Sequence, residues 1–120
     1  MGVTRSEFHR LALSFPETEE RSHMNHPDFR VAGKIFATLG YPDKNWGMVK
    51  VTPVEQRMFV EAESKAFDPC SGAWGRRGAT SVRLATVKKT TLRRALTSAW
   101  ELAAPNHLRA GRPKTAGAPR

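Results

Sequence analysis

Seven basic residues and no acid fall between Cys70 and Arg94, in the run CSGAWGRRGATSVRLATVKKTTLRR. Guanidinium and ammonium groups gathered without counterions are suited to anionic oxygen, phosphate above all. Arg76 and Arg77 sit in a glycine-flanked turn, and glycine lets a backbone approach a ligand closely. Contacts made from such a turn would go to a nucleic-acid backbone and carry affinity and salt dependence, not sequence choice. The plainer reading is a mobile surface loop. Lys88 and Lys89 precede a predicted helix, with Thr90 or Thr91 as its N-cap and Arg93 and Arg94 in its first turn. Cations there oppose the helix dipole, yet together with free amides they would hold a phosphate. Solvated side chains at an exposed helix start are the alternative, at a cost of about a few tenths of a kcal/mol each.

Near the C-terminus, Arg109-Ala110-Gly111-Arg112-Pro113-Lys114 resembles an AT-hook core, whose arginines enter a narrow minor groove. Ala110 separates the first arginine from the glycine, and such tripeptides also arise by chance in a basic Ala/Gly/Pro tail. His23, Asn25, His26 and Asp28 lack the companions of a complete ligand set, so a polar loop explains them and no metal is expected. Nothing beside Cys70 would activate it, which makes it a structural thiol. GAWGRRG does not match a P-loop. No catalytic residue and no cofactor is expected, and an enzymatic role would need a deep pocket with perturbed acids. Trp74 could stack on a base; Trp46 and Trp100 are read as packing residues.

The charge is polarised as well as large. The chain of 120 residues carries +9, but residues 1–68 hold nine Lys/Arg against ten Asp/Glu, whereas residues 69–120 hold eleven against Glu101 alone. That asymmetry points to nucleic acid, an anionic surface or an acidic protein rather than to solubility alone. Hydrophobic residues make up 39%, with three Trp and six Phe as anchors, enough for one core and one domain. No apolar run approaches the ~20 residues that span a bilayer. The N-terminus lacks the apolar region of a secretory signal, and one cysteine excludes an internal disulfide. A soluble, cytoplasmic, monomeric protein is expected.

Positioning those side chains requires the following elements. Thr4-Arg5-Ser6-Glu7 spells a capping box, and Phe8, Leu11, Ala12 and Phe15 give a helical stripe that Pro16 ends. A short strand around Glu20–His23 precedes a hairpin formed by Phe29–Val31 and Lys34–Leu39 about Ala32-Gly33. Trp46–Val51 is the next strand. Thr52-Pro53-Val54-Glu55 opens a second helix, with Val54, Met58, Phe59 and Ala62 as its apolar stripe. Phe67-Asp68-Pro69 is extended, Ser81–Val87 forms a strand, and a third helix with Leu92, Ala95, Leu96, Ala99, Trp100 and Ala103 stops at Pro105. The order, roughly α-β-β-β-α-β-α with room for extra short strands and with hairpin-length connections, predicts an α+β domain over residues 1–105, an antiparallel sheet with helices packed on it. Residues 106–120 are expected to form a mobile basic tail.

Leu13-Ser14-Phe15-Pro16-Glu17-Thr18-Glu19-Glu20 and Phe29-Arg30-Val31-Ala32-Gly33-Lys34-Ile35-Phe36 resemble the front half of the MmcQ/YjbR-like family. Gly72-Ala73-Trp74, the strand from Ser81 to Ala85 and the helix ending Ala99-Trp100 resemble its back half, and this position of Trp74 implies a core anchor beneath the turn. The likeness covers about residues 4–105. It implies a two-layer domain similar to type III secretion chaperones, and a DNA-binding role through a double wing of β-turns, with no catalytic residue. The family's apolar-rich run after the tryptophan is replaced here by Gly75-Arg76-Arg77-Gly78-Ala79-Thr80, a more basic wing. The leading expectation is therefore a non-enzymatic domain that contacts duplex DNA phosphates through Arg76, Arg77, Lys88, Lys89, Arg93 and Arg94, aided by Arg109, Arg112 and Lys114. The alternative is a chaperone-like module that binds an acidic or apolar protein segment.

Overall fold

Two helices begin where their capping boxes are spelled. In the computed structural model, which describes residues 2–23, 25–40 and 43–110, the Glu7 N–H donates to the Thr4 hydroxyl at 3.0 Å and the Thr4 N–H to the Glu7 carboxylate at 2.8 Å. This pair starts α1 (Arg5–Leu13). Thr52 and Glu55 exchange the same bonds at 3.1 and 3.0 Å to start α2 (Pro53–Ala62), with Pro53 where its missing N–H costs nothing.

Between them run β1 (Thr18–His23), β2 (His26–Val31), β3 (Lys34–Leu39) and β4 (Trp46–Lys50). Ala32 and Gly33 link β2 to β3 with φ of +51° and +81°, the type I′ geometry whose twist suits a two-residue hairpin. After α2 come β5 (Phe67–Pro69), the one-turn helix α3 (Gly72–Arg76), β6 (Ala79–Arg83), α4 (Lys89–Ala103) and α5 (Asn106–Ala110). The six strands form one sheet in the order β1-β2-β3-β4-β6-β5, and every pairing is antiparallel. Because α2 carries the chain past its neighbour to the outer edge, β6 inserts between β4 and β5.

The sheet buries one face. Ala37 opposes Val49, Gly47 opposes Val82, and Val82 opposes Phe67, so these residues share a side. Phe8 of α1 lies 6.2 Å from the Phe29 ring, and Phe59 of α2 lies 5.3 Å from Phe67. From α4, Leu92, Leu96 and Trp100 enter the same cluster. The Trp100 indole N–H donates to the Pro16 carbonyl at 3.0 Å, and its ring stacks on Phe15. The result is the expected two-layer α+β architecture. Among the described residues no helix is long and apolar enough to cross a membrane.

Local departures from expectation have local causes. On α2 the inward residues are Gln56 and Phe59, while Val54 and Met58 are 58% and 54% exposed. The Gln56 amide, assigned as donor, reaches the carbonyls of Gly75 and Ala79 at 3.0 Å each and the Thr80 hydroxyl at 3.2 Å. A buried amide with such partners fixes the helix's rotation, which apolar spacing alone misjudged. The strand expected at 81–87 starts at Ala79 and ends at Arg83. Residues 106–110 are helical where a mobile tail was expected, with Leu108 packed on the core.

Gly78 closes the corner between α3 and β6 at φ +112°, and a Cβ there would sit 1.8 Å from the Val51 carbonyl oxygen. Gly78→Ala is expected to destabilise the fold by about 2 kcal/mol or more, read from urea unfolding. An unchanged midpoint would contradict this close approach.

Candidate nucleic-acid interface

The basic stretch is continuous in sequence and divided in space. Arg76 ends α3 and Arg77 caps it, both exposed at the end of the sheet where β6 begins. Five residues of β6, about 17 Å of strand, then carry the chain to the opposite end. There the Val3 N–H donates to the Leu84 carbonyl at 2.8 Å, the Thr86 hydroxyl donates to the Lys65 carbonyl at 2.7 Å, and Lys88 and Lys89 follow.

The start of α4 differs from expectation. Its N-cap is Lys88, not Thr90 or Thr91, and no side chain within the helix caps it. Instead Glu63, which ends α2, spans the gap: one carboxylate oxygen accepts the Lys88 N–H at 3.2 Å and the other accepts the Thr91 hydroxyl proton. Thr91 is the third helical residue, so Glu63 supplies from a distant helix the carboxylate that Glu7 and Glu55 supply within their own boxes. An anion does sit at this positive helix end, and it belongs to the chain. Arg93 and Arg94 are the fifth and sixth helical residues, beyond the first turn where they were expected.

Few of these cations are paired. Lys89 lies 3.9 Å from Glu7 across exposed surface. Arg76, Arg77, Lys88, Arg93 and Arg94 make no ion pair among the described residues, and all are exposed. Arg109 lies on α5 with its guanidinium donating to the Asn106 side chain; Arg112 and Lys114 lie outside the described residues.

The sheet face away from the helices holds side chains that spacing did not single out together. Trp46 opposes Arg83, Met48 opposes Ser81, and Lys50 opposes Ala79, so all six share that face. The Arg83 guanidinium lies 4.3 Å over the Trp46 ring, and Lys50 Nζ lies 5.6 Å from the Trp74 ring centre. Trp74, expected in the core, is 50% exposed. Gly75 is the residue that α3 presses inward: a Cβ there would sit 1.6 Å from the Cys70 carbonyl oxygen. The indole of Trp74, one position earlier, therefore turns out. A cue existed in tryptophans and cations near the ends of two strands, but only the β4–β6 pairing makes it legible.

Other candidates resolve separately. Arg30 donates to both Asp28 oxygens, at 2.8 and 3.1 Å, and no group of three His, Cys, Asp or Glu able to hold a metal occurs among the described residues. Burial pushes the Cys70 thiol pKa up; the Ser81 hydroxyl contact opposes this and Asp68 adds to it. An open cleft of about 670 Å³ beside α1, lined in part by Arg5, His9, Arg10 and Pro27, includes none of the predicted cations.

A family model described as YjbR matches residues 13–102, and the chain belongs to the YjbR family. Its fold is similar to the crystal structure of a Deinococcus radiodurans protein with a DUF419 domain, at a TM-score of 0.75 and 16% identity, over 98% of this chain and 96% of that one. No curated protein matches the chain.

Two outcomes follow from this geometry. Glu63→Ala and Thr91→Ala should each destabilise the fold by about 1 kcal/mol, and the double variant by clearly less than their sum, as read from unfolding midpoints; strict additivity would mean that the two do not act as one cap. At pH 8, iodoacetamide should alkylate Cys70 more slowly in the folded protein than in the urea-unfolded chain. The raised pKa lowers the thiolate fraction, so the gap should narrow as pH rises, and equal rates at pH 8 would contradict the assignment.

Proposed function

We propose that this member of the YjbR family is a non-enzymatic nucleic-acid-binding domain that contacts duplex DNA phosphates with little sequence preference. The observation that carries the reading is a set of exposed cations without internal partners: Arg76 and Arg77 at one end of β6, and Lys88, Arg93 and Arg94 beyond the other. A phosphate approaching them has no existing ion pair to break, and the Lys89–Glu7 contact is exposed and weak. Glu63 already holds the Lys88 N–H, so phosphate contact falls to the side chains rather than to the helix start. Such contacts set affinity and orientation.

Val54 and Met58, exposed one turn apart on α2, favour a second reading, a module that docks an apolar protein segment. Reversing Arg76, Arg77, Lys88 and Lys89 to Glu separates the two, since it abolishes DNA binding and spares an apolar contact.

Retardation of a labelled duplex across a salt series is the direct test. With about six phosphates neutralised, log affinity should fall against log salt with a slope near −5. Arg76→Ala with Arg77→Ala should reduce that slope by about 2. A flat salt dependence, or no retardation at about 50 mM salt, would overturn the reading.

A further inference from the structure

We infer that the helix-free face of the sheet is a separate binding surface, a stacking platform for the unpaired bases of a single-stranded nucleic acid. Two indoles and two cations stand on a face where none of the long helices packs. Trp46 with Arg83 marks one end of β4, and Trp74 with Lys50 marks the other. Four residue steps along β4 take the chain from Trp46 to Lys50, about 13 Å. That interval matches about four nucleotides at the ~3.4 Å rise of a stacked strand, and fewer if the strand is drawn out.

Between the two pairs Met48 stands with Thr38 on one side and Ser81 on the other. Met48 is 3% exposed yet does not belong to the helix-side core cluster, so it is closed off on this face, flanked by the two tryptophan–cation pairs. Arg83 is exposed, and a guanidinium lying over an indole leaves its outer plane for a base. The half-exposed Trp74 offers a second stacking surface. Aromatic surfaces of this kind hold any base, because every base has a π-face.

Charge selects the ligand. Arg83 and Lys50 lie on the face itself and Arg76 and Arg77 beyond its Lys50 end, while Lys88 and Lys89 start α4 in the helix layer beside Glu63 and Glu7. Of the acids on this side, Asp28 is bound by Arg30 through both oxygens and Glu19 lies 3.5 Å from Arg21, while Asp68 stands at the β5 edge. A strand of phosphates crossing the face would meet Arg83 at one end, Lys50 at the other and Arg76 and Arg77 beyond it. A duplex hides its base faces inside the stack and has no use for exposed indoles, so the occupant is unpaired. The inference stands whether or not duplex DNA is bound.

Intrinsic fluorescence provides the test, because Trp100 is fully buried and any quenching reports Trp46 and Trp74. The full chain is titrated with a 12-nucleotide deoxythymidine strand, an abasic strand of equal phosphate number, and a duplex. The thymidine strand should quench the emission and bind about tenfold more tightly than the abasic strand. Trp74→Ala should weaken thymidine binding at least about fivefold while leaving abasic binding and the circular-dichroism spectrum unchanged, whereas Arg83→Ala should weaken both strands and the thymidine strand more. Equal affinity for the two strands, no effect of Trp74→Ala, or a Trp74-dependent dimer in sedimentation without strand binding would each overturn the inference. Failure with the duplex alone would remove the phosphate reading and leave this one intact.

Discussion

The two-residue period of β6 governs how this molecule divides its labour. Thr80 and Val82 point into the helix layer and are fully buried, while Ser81 and Arg83 point the other way. A strand between two partners has no third direction to offer. Once Val82 opposes Gly47 on one side and Phe67 on the other, the arginine beside it must lie over Trp46. The same strand holds Arg76 and Arg77 apart from Lys88 and Lys89. One short element therefore builds the core, the aromatic face and the spacing between two cation groups.

Both ends of β6 are tied to α2. At one end the buried Gln56 amide holds the Gly75 and Ala79 carbonyls. At the other, Glu63 takes the Lys88 N–H and the Thr91 hydroxyl. These bonds draw their worth from burial and charge, since an unpartnered amide or carboxylate in such positions would be expensive. The Gln56 contact holds the α3 corner in place, and with it the outward turn of Trp74. The Glu63 contact occupies the start of α4, where the free amides of the helix end would attract an anion. Local stability and ligand contact are thereby separated: the caps belong to the chain, and the unpaired side chains remain free.

Sequence patterns succeeded wherever the signal was local. Thr4–Glu7 and Thr52–Glu55 capped as spelled, because a capping box closes within four residues. The Ala32-Gly33 hairpin formed for the same reason. Inward assignments for Leu92, Leu96 and Trp100 held because fifteen helical residues give a stripe enough turns to be unambiguous. Where partners came from afar, patterns failed. Val54 and Met58 matched a helical stripe, yet the acceptors waiting for Gln56 rotated α2 away from them. Trp74 matched a core anchor, yet Gly75 took the inward position.

The sequence by itself determined the α+β class, the capped starts of α1 and α2, the one-sided core and the polarised charge, since each depends on periodicity, capping or composition that is complete within a short window. Only the tertiary structure decided which cations stand together, which carboxylate caps α4, and that two tryptophans meet Lys50 and Arg83 on the open face. Those facts depend on β6 entering between β4 and β5. Strand insertion is a long-range choice set by how α2 crosses the sheet, and no run of neighbouring residues records it.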